Sequence, residues 1–152
     1  MNSTKTYNIQ PAVIEDYHGI QSLLGSVNLP IEGVQEHFNH FITLYEGEKL
    51  VGLVGLEIYE DKAILRSLAV NRNRQGEGYG RLLTDKIIQQ AHSEGISELY
   101  LLTETAEAFF ARFGFETISR DLVDRKVKTA IQFQYLCPVS APCMRLELDN
   151  QK

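Results

Sequence analysis

Three glycines fall within five residues in the stretch RQGEGYG, at Gly76, Gly78 and Gly80. They lie between an apolar run, AILRSLAV, and a helix-like run, and Arg72, Arg74 and Arg81 stand around them. A helix N-terminus leaves backbone N–H groups unpaired and carries partial positive charge. Glycines there remove the side chains that would keep an anion away. The chemistry this suits is phosphate binding. A strained strand-to-helix turn is the other reading, but one glycine would satisfy it. A P-loop needs Gly-Lys-Ser/Thr, whereas Gly80 is followed by Arg81. A dinucleotide fingerprint needs G-x-G-x-x-G in the first βαβ unit; here the spacing is G-x-G-x-G, after several hairpin-like strands. Arg66 is a second anomaly, a charge inside ILRSLAV. Buried without a partner it would be costly. A substrate carboxylate, an internal salt bridge, with Glu57 as the partner, and a water-facing cleft edge all remain open as its counterpart. His37 and His40 are three apart, but no third ligand nearby completes a zinc site.

These groups need elements to hold them. YNIQPA reads as a first strand, and IEDYHGIQSLLGSV as a helix with Ile14, Tyr17, Ile20, Leu23 and Leu24 on one face. NLPIEGVQEHF predicts a second short helix after Pro30. Three strand-like runs follow, broken at EGEK and YEDK. A long amphipathic helix spans roughly Gly78 to Ser93, its inner face carrying Leu82, Leu83, Ile87, Ile88 and Ala91, with Gly95 as its stop. SELYLLTE is a strand, TAEAFFARFGF a short helix closed by Gly114, and FETISR another strand. VKTAIQFQYLC reads as helical and CMRLEL as a final strand. The order predicts an α/β protein with one mixed sheet flanked by helices.

A chain of 152 residues supports one domain with one core, taken as residues 5–149. The net charge of -5 disfavours a broad nucleic-acid surface. No run is long and apolar enough to cross a bilayer, and MNSTKTYNIQPAV has no apolar signal core, so the expected location is cytoplasmic. In a reducing compartment Cys137 and Cys143 are expected to be free thiols.

The glycine stretch resembles the Q/R-x-x-G-x-G/A signature of the GNAT (Gcn5-related) N-acetyltransferases, as Gln75-x-x-Gly78-x-Gly80. LRSLAV resembles that family's fourth strand, LYLLTE its fifth, and AEAFFARFGF the helix that follows. Arg72 departs from the pattern, since a proline is frequent there. The resemblance implies a mainly antiparallel GNAT sheet and acetyl-CoA as cosubstrate, with no metal. The backbone of Gln75, Gly76, Glu77, Gly78, Tyr79, Gly80 and Arg81 would hold the pyrophosphate. Leu68, Ala69 and Val70 would pair with the pantetheine arm, and a fork between strands four and five, opened by a bulge, would admit the thioester. Phe110 would stand at the cofactor where many members carry a tyrosine acid.

Acetyl transfer to an amine needs a neutral nucleophile and a stabilised oxyanion. The Val70 N–H is the expected oxyanion donor, and Glu57 and Glu104 are the candidate bases, directly or through water. A phenyl ring at Phe110 cannot donate a proton, so the thiolate leaves unaided or another group serves, with Tyr79 and Tyr100 candidates by type. AIQFQYLCPVSAPCMRLEL is similar to the ending of a GNAT subgroup named for arsenic resistance. LLTETAEAFFARFGFE is similar to amino-acid N-acetyltransferases of the N-acetylglutamate synthase type. Both imply an amino-acid-like amine as acceptor, attacking directly in a ternary complex, with Arg66 available to its carboxylate. The thiols of Cys137 and Cys143 are packing groups or, if they meet, soft ligands. The alternative is a non-catalytic acyl-CoA-binding or thiol-based metalloid sensor. Neither nucleic acid nor membrane is an expected partner, and monomer and homodimer both remain open.

Overall fold

A computed structural model of the chain describes residues 6–130 and 141–148. It has the architecture expected: a mixed, mainly antiparallel sheet flanked by helices. The strands are β1 (Asn8–Pro11), β2 (Phe41–Glu46), β3 (Lys49–Tyr59), β4 (Lys62–Val70), β5 (Glu98–Leu102), β6 (Glu116–Ile118) and β7 (Cys143–Glu147), in the order β1-β2-β3-β4-β5-β7-β6. The helices are α1 (Tyr17–Ser26), α2 (Tyr79–Ser93), α3 (Glu107–Ala111) and α4 (Arg125–Lys128). Contacts divide the chain into two compact units, one of residues 1–56 and 67–88, the other of 57–66 and 89–152.

The first unit is built on antiparallel pairing. β1 pairs with β2 from Asn8↔Tyr45 to Pro11↔Ile42, and β2 pairs with β3 from Phe41↔Gly55. The β2–β3 register slips between Leu44 and Tyr45, so that Leu44 faces Gly52 and Tyr45 faces Leu50. Such a bulge re-aims the side chains beyond it. Those side chains are Tyr45, which donates to Asp16, and Glu46. Val51, the residue skipped by the slip, accepts from the Asn71 N–H at 2.8 Å and ties the end of β4 to β3. The core gathers Ile20, Leu23, Leu24, Val34, Phe41, Leu53 and Ala69. Phe41 lies so close over Gly55 that any Cβ at position 55 would overlap its ring.

Three expectations change here. Ile14 is 63% exposed, because Ile14–Asp16 forms a 3₁₀ turn ahead of α1 and turns Asp16 inward instead. The Asp16 carboxylate then accepts from the Val13 N–H at 2.7 Å. The second helix is a 3₁₀ stretch, Gln35–His40, broken at His37 by non-helical backbone and held to the core through the half-buried Phe38. On α2 the buried stripe is Leu83, Ile87 and Ala91 with Thr84, while Leu82 and Ile88 lie at its margins.

The second unit centres on Ile64, Tyr100, Val123, Val127, Ala130 and Cys143. β4 and β5 run parallel but pair over three positions, Lys62↔Glu98, Ala63↔Leu99 and Ile64↔Tyr100. β7 pairs antiparallel with both β5 and β6. Phe110 is 6% exposed and makes edge contacts with Phe109 and Phe115, with centroids 5.0 and 5.7 Å away. Of the helix read from VKTAIQFQYLC, the described part contributes only to α4, Arg125–Lys128; residues 131–140, including Cys137, lie outside the described residues.

Candidate functional site

The glycine loop joins β4 to α2 entirely within the first unit. Asn71 starts it, its side chain accepting from the Asn73 N–H at 2.9 Å and shaping a 3₁₀ turn over Arg72–Arg74. Gln75 returns its amide to the Val70 carbonyl at 3.1 Å. Gly76 and Gly78 then take φ of +86° and +91°, a left-handed region that other residues rarely adopt. A Cβ on either would stand in open space, and Gln75, Gly76, Glu77 and Gly78 are all exposed. α2 follows at once, its first bond running from the Leu82 N–H to the Gly78 carbonyl at 3.1 Å. The N–H groups ahead of Leu82 therefore lie at the positive end of a 15-residue helix, behind glycines with nothing in front of them. That geometry fits an anion such as the pyrophosphate of CoA.

The arginines around the loop divide their work. Arg72 Nε donates to the Ser26 carbonyl at 2.9 Å, and Arg74 Nε to Glu46 Oε1 at 2.7 Å. Both side chains anchor the loop to the elements beneath it, whereas Arg81 is exposed on the first turn of α2. Tyr79 is buried, donates its phenol to Glu46 Oε2 and packs edge-on against Tyr7 at 5.8 Å. Burial, then the hydrogen bond to Glu46, pushes its pKa up to about 12. Leu68 and Val70 are half-buried and Ala69 is buried. Just before them, Ser67 has φ +62° inside β4, a left-handed residue within an extended strand.

In the second unit Glu57 and Arg66 meet. Arg66 Nη1 lies 2.5 Å from Glu57 Oε2, with the two side chains 1% and 2% exposed. Tyr59 donates to the other oxygen, Glu57 Oε1, at 2.7 Å. Burial, then this hydrogen bond, raises the Tyr59 pKa far above its ordinary value. Of the counterparts open to Arg66, the internal salt bridge is the one present. Both oxygens of Glu57 are thus engaged, while Glu104 is exposed in the bend after β5. Tyr100 donates to Glu98 Oε1 at 2.5 Å, and burial followed by that bond pushes its pKa up to about 12. Tyr79 and Tyr100 are both weak acids whose protons are already committed to carboxylates. Phe110 is part of an aromatic cluster in this unit. Cys143 is a buried free thiol whose pKa burial pushes up to about 11, far from a ready thiolate. Among the described residues no group of three His, Cys, Asp or Glu is placed to hold a metal ion, and no helix is long and apolar enough to cross a membrane.

Glu46 was not singled out by sequence. It sits in the polar break EGEK, where a carboxylate reads as turn composition, and its partners lie 28 and 33 residues away. The left-handed backbone at Ser67 likewise has no signal in its residue type.

The model of the family described as acetyltransferase (GNAT) matches residues 12–115. An uncharacterized N-acetyltransferase of Chlorobaculum tepidum, CT2212, is 32% identical over 99 residues, covering 64% of this chain and 63% of its own. An amino-acid acetyltransferase of Neisseria meningitidis serogroup A is 34% identical over 92 residues, covering 59% of this chain and 21% of its own. The chain thus spans less than two thirds of the length of either relative. Among solved structures, N-acetylglutamate synthase from Neisseria gonorrhoeae, complexed with coenzyme A and N-acetyl-glutamate, superposes with a TM-score of 0.81 at 24% identity. That likeness, one of fold, covers 97% of this chain and 36% of the other.

Proposed function

The chain belongs to the acetyltransferase (GNAT) family, and we propose that residues 5–149 form a single acetyltransferase domain, cytoplasmic, moving acetyl from acetyl-CoA to the amine of a small amino-acid-like substrate. The observation that carries the CoA part is the loop from Gln75 to Arg81: two left-handed glycines with open space before them, opening a 15-residue helix. In this reading the backbone of Gln75–Arg81 receives the pyrophosphate, and Arg81 adds charge from the first turn. Leu68, Ala69 and Val70 run alongside the pantetheine. The left-handed Ser67 supports this, because a positive φ turns the backbone out of the regular extended course just ahead of them.

The chemistry is direct. The amine nitrogen attacks the thioester carbonyl and the C–N bond forms. The oxyanion is held by the Val70 N–H, the C–S bond breaks, and the amine's proton passes to a base. Glu104 is the stronger candidate base, being exposed where water reaches it, whereas Arg66 and Tyr59 already occupy Glu57. Phe110 contributes packing within its aromatic cluster and no proton. The thiolate leaves without a side-chain acid.

An amino-acid-like acceptor is supported by the name of the Neisseria meningitidis relative and by the resemblance of residues 101–116 to amino-acid acetyltransferases. The resemblance of the C-terminal stretch to the arsenic-resistance subgroup adds phosphinic and arsonic amino-acid analogues to the candidates. The deciding experiment measures release of CoA thiol and formation of N-acetyl product across an amino-acid panel that includes glutamate and those analogues. Turnover with at least one member supports the reading. Tight CoA binding with no turnover on any of them would favour a non-catalytic acyl-CoA-binding module instead.

A further inference from the structure

We propose that Glu46, the last residue of β2, is a positioning residue for the CoA loop, holding the two ends of the glycine turn at the spacing the pyrophosphate needs. The inference rests on the reading of that loop as the CoA site. Its two carboxylate oxygens are divided between residues that bracket the glycines. Oε1 accepts from Arg74 Nε at 2.7 Å, and Oε2 accepts from the Tyr79 phenol. Between Arg74 and Tyr79 lie only Gln75, Gly76, Glu77 and Gly78. Gly76 and Gly78 have backbone freedom that would let the turn take many shapes. Glu46 therefore limits the shape of a segment whose own sequence leaves it loose. The strand beneath is suited to this task. The register slip between Leu44 and Tyr45 sets the direction of the last two residues of β2, and the Glu46 side chain is only 13% exposed.

The clamp also has an electrostatic side. A carboxylate beside a site for a diphosphate opposes binding unless it is neutralised. Here Arg74 neutralises it, which assigns the Arg74 charge to Glu46 and leaves Arg81 as an exposed cation on the first turn of the helix. Two roles for Arg74 thus make opposite predictions. If Arg74 binds phosphate directly, its loss cannot be repaired at position 46. If it serves Glu46, removing the Glu46 charge restores part of what its loss costs.

CoA binding to the full chain by calorimetry, with a thermal melt of each variant, separates these cases. Glu46→Gln keeps the shape but weakens both charge-assisted bonds, and is expected to raise the CoA Kd about tenfold, equivalent to about 1.4 kcal/mol. Tyr79→Phe removes one arm only and should fall between wild type and Glu46→Gln. Arg74→Ala should be the worst of the set, and Arg74→Ala/Glu46→Gln should bind CoA better than Arg74→Ala alone. A loss of packing alone would not produce that rescue. Glu46→Gln binding CoA as tightly as wild type, or a double variant no better than Arg74→Ala, overturns the proposal while leaving the CoA site standing. If Arg74→Ala does not fold, the ranking of Glu46→Gln and Tyr79→Phe decides. Wild type failing to bind CoA removes the loop assignment itself, and the clamp with it.

Discussion

Arg66 shows what a single residue reveals and conceals. A charge inside AILRSLAV marks the position in sequence, but its partner depends on which residue the hairpin brings beside it. Glu57, nine residues earlier, is that partner, and both are nearly inaccessible to water. Breaking a buried pair from one side leaves an uncompensated charge, which costs about 3–5 kcal/mol. Arg66→Met is therefore expected to lower stability by that amount in urea denaturation, and Glu57→Leu/Arg66→Met to recover most of it. If the single variant matches wild type, the pair is not holding this region together. The same ion pair shapes the test of acceptor binding. Arg66→Ala raises the acceptor KM through lost carboxylate recognition only if a decarboxylated analogue escapes the penalty. Phe110 behaves differently, because its surroundings are aromatic. Phe110→Ala should cost about 3–5 kcal/mol by opening a cavity. Phe110→Tyr should bury a hydroxyl at a cost of about 1–3 kcal/mol if no partner reaches it. A faster chemical step in Phe110→Tyr would contradict a purely packing role.

The secondary elements were largely legible, and their punctuation was not. Strand runs broken at EGEK and YEDK became β2, β3 and β4, and the 3.6-residue stripe of Leu83, Ile87 and Ala91 became the inner face of α2. The slip in β2–β3 left no compositional trace, because bulges are fixed by pairing rather than by residue type. β4 holds the clearest case. Ser67 adopts a left-handed conformation that costs a non-glycine residue about 1–3 kcal/mol. Ser67→Gly removes that cost but loosens the unfolded chain, so its stability should stay within about 1 kcal/mol of wild type. Ser67→Val adds a branched side chain in a region it rarely enters, and should lower the melting temperature by several degrees. Equal melting temperatures for the two would show that β4 relaxes to an ordinary extended form. A CoA titration of Ser67→Val adds the functional side: weaker binding is expected if the left-handed turn at Ser67 sets the pantetheine strand.

The composition of the whole chain gave its class and its acidity, but not how its phenols are distributed. Tyr45 and Tyr79 in one unit and Tyr100 in the other each have pKa values pushed up to about 12 by burial and then by a carboxylate acceptor. In the unfolded chain a tyrosine ionises near pH 10. Below that pH both states keep the proton and the stabilisation is complete. Between about pH 10 and pH 12 the unfolded state releases protons that the folded state retains, so stability falls as pH rises. Thermal melts through that window should show a steep decline, and the tyrosinate absorbance of these three phenols, read as the difference between wild type and each Tyr→Phe variant, should appear together with unfolding rather than before it. A difference signal from Tyr45, Tyr79 or Tyr100 in the still-folded protein near pH 10 would mean that those phenols are not held. The glycine loop, the strands and the family were all within reach of the sequence, since each is written in adjacent residues. The Arg66–Glu57 ion pair was within reach as one of several counterparts, since a lone charge in an apolar strand asks for a carboxylate on its neighbour. Glu46 and the overlap of Phe41 with position 55 were out of reach, since each joins residues on different strands or elements. That last contact also restricts how such chains exchange parts. A chimera taking β2 from one relative and β3 from another inherits a ring on one strand and the bare backbone that makes room for it on the other. The two must travel together, and any relative with a side chain at the position of Gly55 is expected to carry a smaller residue opposite it.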